Sequence, residues 1–238
     1  MQMRTVEDVL PSLEILATSV CDTARRLLHD GLAVGTAGNV SVRDPRSGLI
    51  AVTPAAFPYD LLQPADVSIV DARGSQLRGT RPPTSELALH LMIYERRPET
   101  GAVVHTHSPF ATVFSVLRRP IPCVCNEGLA VGAPSVDVTE WAVPGSAELA
   151  EAAATLLKRH PGVRAFLLAN HGAVAMGADL RAAFDLAAQV EWEAAVYHRA
   201  LQVGAPRRLS VQQYEAAVRR YAPGSLRQGA VKPGPPDR

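Results

Sequence analysis

Gly101-Ala-Val-Val-His-Thr-His-Ser108 is an apolar run that ends in two histidines separated by one residue. Its Ala102 to His105 portion predicts a buried strand, and a strand projects alternate side chains to the same face. His105 and His107 therefore point together and can chelate one cation. A third histidine stands in Leu168-Ala-Asn-His-Gly172, where a hydrophobic strand predicted over Ala165 to Ala169 turns into a second strand, Ala173 to Met176. Imidazole is the commonest metal ligand near neutral pH, and three such ligands plus a free position suit a catalytic centre. The expectation is one metal ion with an open coordination position. In a chain with 7 histidines an HxH pair alone is weak evidence, so the weight falls on what surrounds it.

Outward from this strand, apolar residues recur at three- and four-residue steps from about Val6 to His29, which predicts a helix stopped by Gly31. Gly35 to Arg43 reads as a small-residue loop running into a strand. Leu49 to Thr53 is a second strand ended by Pro54, and Val67 to Gly74 a third with a turn after it. Thr84 to Pro98 predicts a helix with Leu87, Met92 and Tyr94 near one side. Further helices are predicted over Pro109 to Leu117, Ser146 to His160 and Leu180 to Gln202. Strands thus alternate with helices, which places the chain in the α/β class without an internal repeat. A single domain is expected over residues 1–222. Residues 223–238, rich in Pro and Gly and poor in large apolar side chains, are expected to form a flexible tail, ordered only by contacts with another subunit.

The balance of 24 basic against 23 acidic residues leaves no global field to attract nucleic acid or an anionic membrane. With 47% hydrophobic residues the composition is that of a globular chain. No apolar run approaches the ~20 residues that span a bilayer, and the N-terminus lacks a signal-peptide core, so a cytoplasmic protein is expected. Cys21, Cys123 and Cys125 are an odd count without CxxC spacing, which argues against a disulfide framework. Cys123 and Cys125 read either as thiolate ligands or as ordinary small apolar residues near a strand end.

Glu86 opens the helix predicted after Pro82-Pro83-Thr84-Ser85. Alone, an acidic residue there is ordinary first-turn chemistry. Beside a three-histidine cation, its carboxylate can be a fourth ligand at rest and a proton acceptor once substrate displaces it. Two stretches can hold a small anion by backbone donors. One is Thr36-Ala-Gly-Asn-Val-Ser41, where Gly38 allows close backbone approach and Asn39 tolerates unusual dihedrals; the other is Thr84-Ser85 at a helix N-terminus. HExxH, GxSxG and Walker A motifs are missing from the sequence. His29 reads as a helix C-terminal residue, and His90, His160 and His198 as helix-surface or packing residues.

The ordered set Gly38-Asn39-Val-Ser41, Thr53-Pro54, Pro83-Thr-Ser-Glu86, Val104-His-Thr-His107, Pro144-Gly145 and Asn170-His171-Gly172 resembles the class II aldolase/adducin family over roughly residues 10–203. The resemblance implies a three-layer α/β/α sandwich around a mixed or antiparallel sheet. It implies a Zn2+ ion, or Mn2+, Co2+ or Fe2+, on His105, His107 and His171, with Glu86 as catalytic acid/base and displaced fourth ligand. Gly38, Asn39, Thr84 and Ser85 would line a phosphate pocket, and a homotetramer would place sites at subunit interfaces. The implied function is a carbon-carbon lyase acting on a small molecule, most simply by aldol cleavage of a ketose 1-phosphate. Decarboxylation of an oxo- or hydroxy-aromatic acid, sugar-phosphate epimerisation or dehydration, and a non-catalytic adducin-like scaffold are the alternatives. Two positions depart from the family pattern: Ala55-Ala56 stand where Ser-Gly is usual beside the phosphate, and Asn126 in Pro122-Cys-Val-Cys-Asn-Glu127 stands where a catalytic tyrosine is expected.

Overall fold

The computed structural model describes residues 6–221, so the tail expected over 223–238 lies outside the described residues. The first helix, α1 (Val6–His29), ends as the periodicity indicates, with the chain reversing at Gly31 in the left-handed region (φ 72°). Strands β1 (Asn39–Arg43), β2 (Ile50–Val52), β3 (Ser68–Val70) and β4 (Gln76–Arg78) follow without an intervening α-helix. They form an antiparallel meander, so the expected regular alternation of strands and helices does not hold in this half of the chain. Sequence patterning passed over β4, an exposed three-residue edge strand beside an irregularity at Ile69/Val70, because it has no buried face to imprint alternation.

Helix α2 (Leu87–Arg96) starts three residues later than predicted, and Pro98 lies just beyond it. Its buried face is Leu89, His90, Ile93 and Tyr94, not the side marked by Leu87 and Met92, which are only partly covered. Next come β5 (Ala102–Thr106), α3 (Pro109–Leu117), β6 (Ile121–Pro122), β7 (Ser135–Val136), α4 (Ala147–Arg159), β8 (Ala165–Leu168), β9 (Gly172–Gly177), α5 (Leu180–Val203) and α6 (Val211–Tyr221). The two-residue strands β6 and β7 are too short for a periodic signal, whereas α6 carries one, in Val211, Tyr214, Val218 and Tyr221, that the sequence reading passed over. Tyr214 and Val218, one turn apart on α6, are buried against Cys123 and Leu129.

Among the described residues, seven strands form one sheet in the order β4-β3-β2-β1-β5-β9-β8, with every neighbouring pair antiparallel. Helices cover it: α5 packs on β5 and β9 and touches α1 and α3, while α2 packs with α4 and meets β1 through Ser41. The result is the helix, sheet and helix layering that the family resemblance implies. Strand β5 lies near the middle, between β1 and β9, and all five of its residues are buried. This explains its near-continuous apolar sequence, since a strand covered on both faces loses the polar alternation of a half-exposed one. No described helix is long and apolar enough to cross a membrane.

Candidate metal centre

The register of β5 against its neighbours builds the site. Asn39 of β1 lies opposite His105, and Val174 of β9 lies opposite it on the other side. Strand β5 ends at Thr106, so His107 is the first residue beyond it, anchored by its N–H to the Leu32 carbonyl at 3.1 Å. The expected pairing nevertheless forms, with His105 Nε2 3.0 Å from His107 Nε2. The third histidine comes from the three-residue turn between β8 and β9, where Asn170 adopts φ 56°. Short polar residues tolerate this left-handed conformation. Gly172 is needed beside it, because a Cβ there would sit 2.1 Å from the Thr106 carbonyl oxygen. The three imidazole rings meet edge to edge, each pair of centroids 4.8 Å apart.

Glu86 joins them from the N-cap position of α2, but its carboxylate makes no cap. It faces the histidines instead, with Oε2 3.2 Å from His105 Nε2 and Oε1 3.2 Å from His171 Nε2. The donor set fits a cation on its own chemistry. His105 Nδ1 is 2.9 Å from the Ala173 carbonyl, which only accepts, so the ring proton sits on Nδ1 and Nε2 presents a lone pair. That lone pair points at another imidazole nitrogen and at a carboxylate oxygen. Such a convergence of acceptors is held together by a positive charge. Burial, followed by the neighbouring His171, keeps His107 down at about pKa 4, and burial also lowers His105 and His171, so protons compete weakly for these nitrogens at neutral pH.

Several supports were not legible in the sequence. Ser115 of α3 donates to the Leu168 carbonyl at 2.7 Å and accepts from the His171 N–H at 2.8 Å, fixing the turn that carries the ligand. Glu191 of α5 receives the N–H groups of Phe110 and Ala111 at 2.9 and 2.8 Å, which pins the start of α3 just after His107. Replacing Glu191 by Ala leaves these helix N-terminal donors without their carboxylate, and we expect a loss of about 1–2 kcal/mol in denaturant unfolding. An unchanged midpoint would show that solvent replaces the carboxylate. Asn39 Nδ2 donates to Glu86 Oε2 at 2.9 Å, and His90, expected to be a surface or packing residue, is not on the surface but completely buried, hydrogen-bonded to Asn39. Its signal was the spacing Glu86, His90, Tyr94, which marks one side of a helix at four-residue steps.

The suggested anion-binding residues are brought together, with one correction. An antiparallel Pro54–Pro83 bridge sets Thr84 opposite Thr53 and Ala55 opposite Pro82, and the Thr53 hydroxyl accepts from the Val40 N–H at 3.1 Å, joining this bridge to the Gly38-Asn39 segment. Gly38 has φ 79° and no room for a Cβ, which would lie 2.7 Å from the His105 carbonyl oxygen. However, the N–H groups of Ala55 and Thr84 donate to Pro82 and Thr53, and those of Glu86 and Leu87 turn back on Thr84. The start of α2 is therefore largely satisfied from within, and the exposed Ser85 hydroxyl is a freer donor than the helix end. Ala56 occupies a left-handed conformation, φ 49°, that favours glycine.

The remaining sites separate from this centre. Asn126 is exposed, in a loop tied to α5 by Glu193, whose carboxylate accepts from the N–H groups of Val124 and Cys125. The Cys125 thiol donates to Glu193 at 2.7 Å and burial raises its pKa, so it is a protonated hydrogen-bond donor and more than an apolar filler. His160 pairs with Asp137, and His29 lies exposed beside Asp30.

A class described as the Class II Aldolase and Adducin N-terminal domain matches residues 18–198. The chain belongs to this family. Among relatives of this class II aldolase, the 5-methylthioribulose-1-phosphate/5-deoxyribulose-1-phosphate aldolase of Rhodospirillum rubrum is 38% identical over 221 residues, covering 93% of this chain and 96% of that protein. The 5-deoxy-D-ribulose 1-phosphate aldolase of Bacillus thuringiensis is 33% identical over 198 residues, covering 83% and 91%. A solved L-fuculose 1-phosphate aldolase superposes with a TM-score of 0.82 at 32% identity over 92% of this chain and 98% of that one. Class II aldolases use a divalent metal ion, and His105, His107 and His171 form a group able to hold one.

Proposed function

We propose that this chain cleaves a ketose 1-phosphate by a retro-aldol reaction, with a zinc ion on His105, His107 and His171 and with Glu86 as the proton-transfer group. The observation that supports it most directly is the convergence of three imidazole Nε2 atoms and both Glu86 oxygens on one point. When bound there, a divalent ion supplies Lewis-acid stabilisation of the negative charge that develops on the substrate carbonyl oxygen. Glu86 does the proton work: as the bond between the α-carbon and the hydroxyl-bearing carbon breaks, the hydroxyl proton passes to the Glu86 carboxylate while that carbon becomes an aldehyde, and the resulting carboxyl gives the proton to the α-carbon; condensation runs the same transfers in reverse. Asn39 holds one carboxylate oxygen by its amide N–H, leaving the other free to reach the substrate. The hydroxyls of Thr84 and Ser85 and the backbone around Gly38 and Asn39 bind the phosphate, with Ala55 and Ala56, which follow the Thr53 that pairs with Thr84, at the edge of the same pocket. A scaffold has no physical need for this set of ligands and base, which disfavours an adducin-like structural role.

The names of the relatives direct the choice of substrate toward 5-deoxy and 5-methylthio pentulose 1-phosphates. A working homotetramer in the cytoplasm accords with the reading. Val116, Leu117 and Trp141 are exposed apolar side chains suited to subunit contacts, and in such an assembly the loop bearing Asn126 would approach a neighbour's site.

The test is a substrate screen of ketose 1-phosphates against β-keto and hydroxy-aromatic acids, run on the wild type and on Ala55→Ser with Ala56→Gly. A hydroxyl donating to phosphate is worth roughly tenfold to a hundredfold in affinity, and glycine also relieves the left-handed Ala56. The double variant should raise kcat/KM for a ketose 1-phosphate by about tenfold and leave any carboxylate substrate unaffected. Detectable decarboxylation by the wild type, with no cleavage of any ketose phosphate by either protein, would replace the aldolase reading with the decarboxylase one.

A further inference from the structure

Behind Glu86 the structure holds a buried row of polar side chains that the reaction as described does not use. Glu86 Oε2 receives Asn39 Nδ2 at 2.9 Å, Asn39 Oδ1 meets His90 Nε2 at 2.5 Å, His90 Nδ1 meets Ser41 Oγ at 2.7 Å, and Ser41 Oγ meets Tyr94 Oη at 2.7 Å. All of these groups are buried, with His90 and Ser41 wholly inaccessible. The helix supplies Glu86, His90 and Tyr94 from successive turns, and β1 supplies Asn39 and Ser41 from alternate positions, so two regular periods mesh into one row.

The direction of every hydrogen bond in the row follows from its ends. A carboxylate only accepts, so the Asn39 amide must turn its NH2 to Glu86 and its carbonyl oxygen to His90. That oxygen only accepts, so His90 must carry its proton on Nε2. Burial pushes the His90 pKa down to about 4, leaving the ring neutral with a single proton, so Nδ1 is an acceptor. Ser41 must then donate to Nδ1 and receive the Tyr94 hydroxyl proton. Four groups therefore donate in one sense toward Glu86, and aligned bonds of this kind reinforce one another in a low-dielectric interior.

We propose that His90 is a positioning residue for proton transfer: through its Nε2–H it locks the Asn39 amide, and Asn39 in turn holds the Glu86 carboxylate at the angle from which its free oxygen reaches the substrate carbon. The proposal rests on the assignment of Glu86 as the proton-transfer group. Without the His90 donor, the Asn39 amide is free to flip, and its carbonyl oxygen would then repel the carboxylate. The ring also fills a site no solvent can enter, so water cannot take its place.

The test compares His90→Leu, which fills the space without a donor, with His90→Gln, whose amide NH2 can stand where Nε2–H stood. For His90→Leu we expect kcat to fall by about tenfold or more, the worth of an orienting hydrogen bond, with KM within about threefold and metal content unchanged. His90→Gln should recover most of the loss. In a Glu86→Gln background the His90→Leu change should cost little more, because the group it orients is gone. Equal losses in both backgrounds, or a His90→Gln variant no better than His90→Leu, would reduce His90 to packing and overturn the proposal. Should His90→Leu fail to fold, the wild type still decides the matter: two-bond 15N correlation spectra of the histidines should show His90 as the Nε2–H tautomer, and an Nδ1–H tautomer would overturn it. Near-normal kcat in Glu86→Gln itself defeats the assignment of Glu86, whereas an inactive Glu86→Gln with an unimpaired His90→Leu defeats this proposal alone.

Discussion

Glu86→Gln should keep its metal and lose about a hundredfold or more in kcat, the usual worth of a positioned general acid/base. The substitution preserves size and leaves one amide oxygen to accept from Asn39, whose donation at 2.9 Å holds the wild-type carboxylate. The three histidines are untouched, so elemental analysis should find the same metal content as in the wild type. What the variant loses is the ability to take or give a proton. KM should move far less than kcat, because the substitution leaves the hydroxyls of Thr84 and Ser85, proposed to bind the phosphate, unchanged. A variant with near-normal kcat would reduce Glu86 to a residue that merely precedes α2, and one stripped of metal would make it a ligand that cannot be spared.

His171→Ala should release the metal. It removes one of three imidazoles and leaves His105 and His107 as a bidentate pair at the end of β5. Loss of an outer partner of a ligand costs about 10–100-fold in metal affinity, and loss of the ligand itself should cost more. Competition with a chelator and elemental analysis measure it directly. The fold should survive, because the turn is held by backbone and Ser115 contacts that do not involve the imidazole, and the side chain is only partly buried. Full metal occupancy in this variant would mean that the third ligand lies elsewhere.

The candidate ligands were legible because each lies in or next to a regular element with a short period. His105 and His107 repeat at two residues, His171 occupies a turn flanked by two apolar strands, and Glu86 follows a proline pair that starts a helix. The supports were not, because each joins segments far apart in sequence. Glu191 reaches Phe110 across 81 positions, Ser115 reaches His171 across 56, and His90 reaches Asn39 across 51. Likewise, Thr84-Ser85 before a helix reads as an anion site until the fold shows which of its amides are already bonded. The family resemblance already implied a mixed or antiparallel sheet, but the strand order was hidden. Helix and strand lengths do not record which strand pairs with which, and β1 to β4 run as a meander where the residue pattern read as alternation of strands and helices.

By itself, then, the sequence determined most of the larger elements and which histidines and carboxylate were candidates for metal binding and proton transfer, since hydrophobic period and residue chemistry are local properties. Tertiary structure alone decided how those side chains are oriented, which donors remain for a ligand and that His90 stands behind Glu86. The physical reason is burial. A hydrogen bond withdrawn from water must find its partner inside the protein, and only the packed fold determines which partner is there.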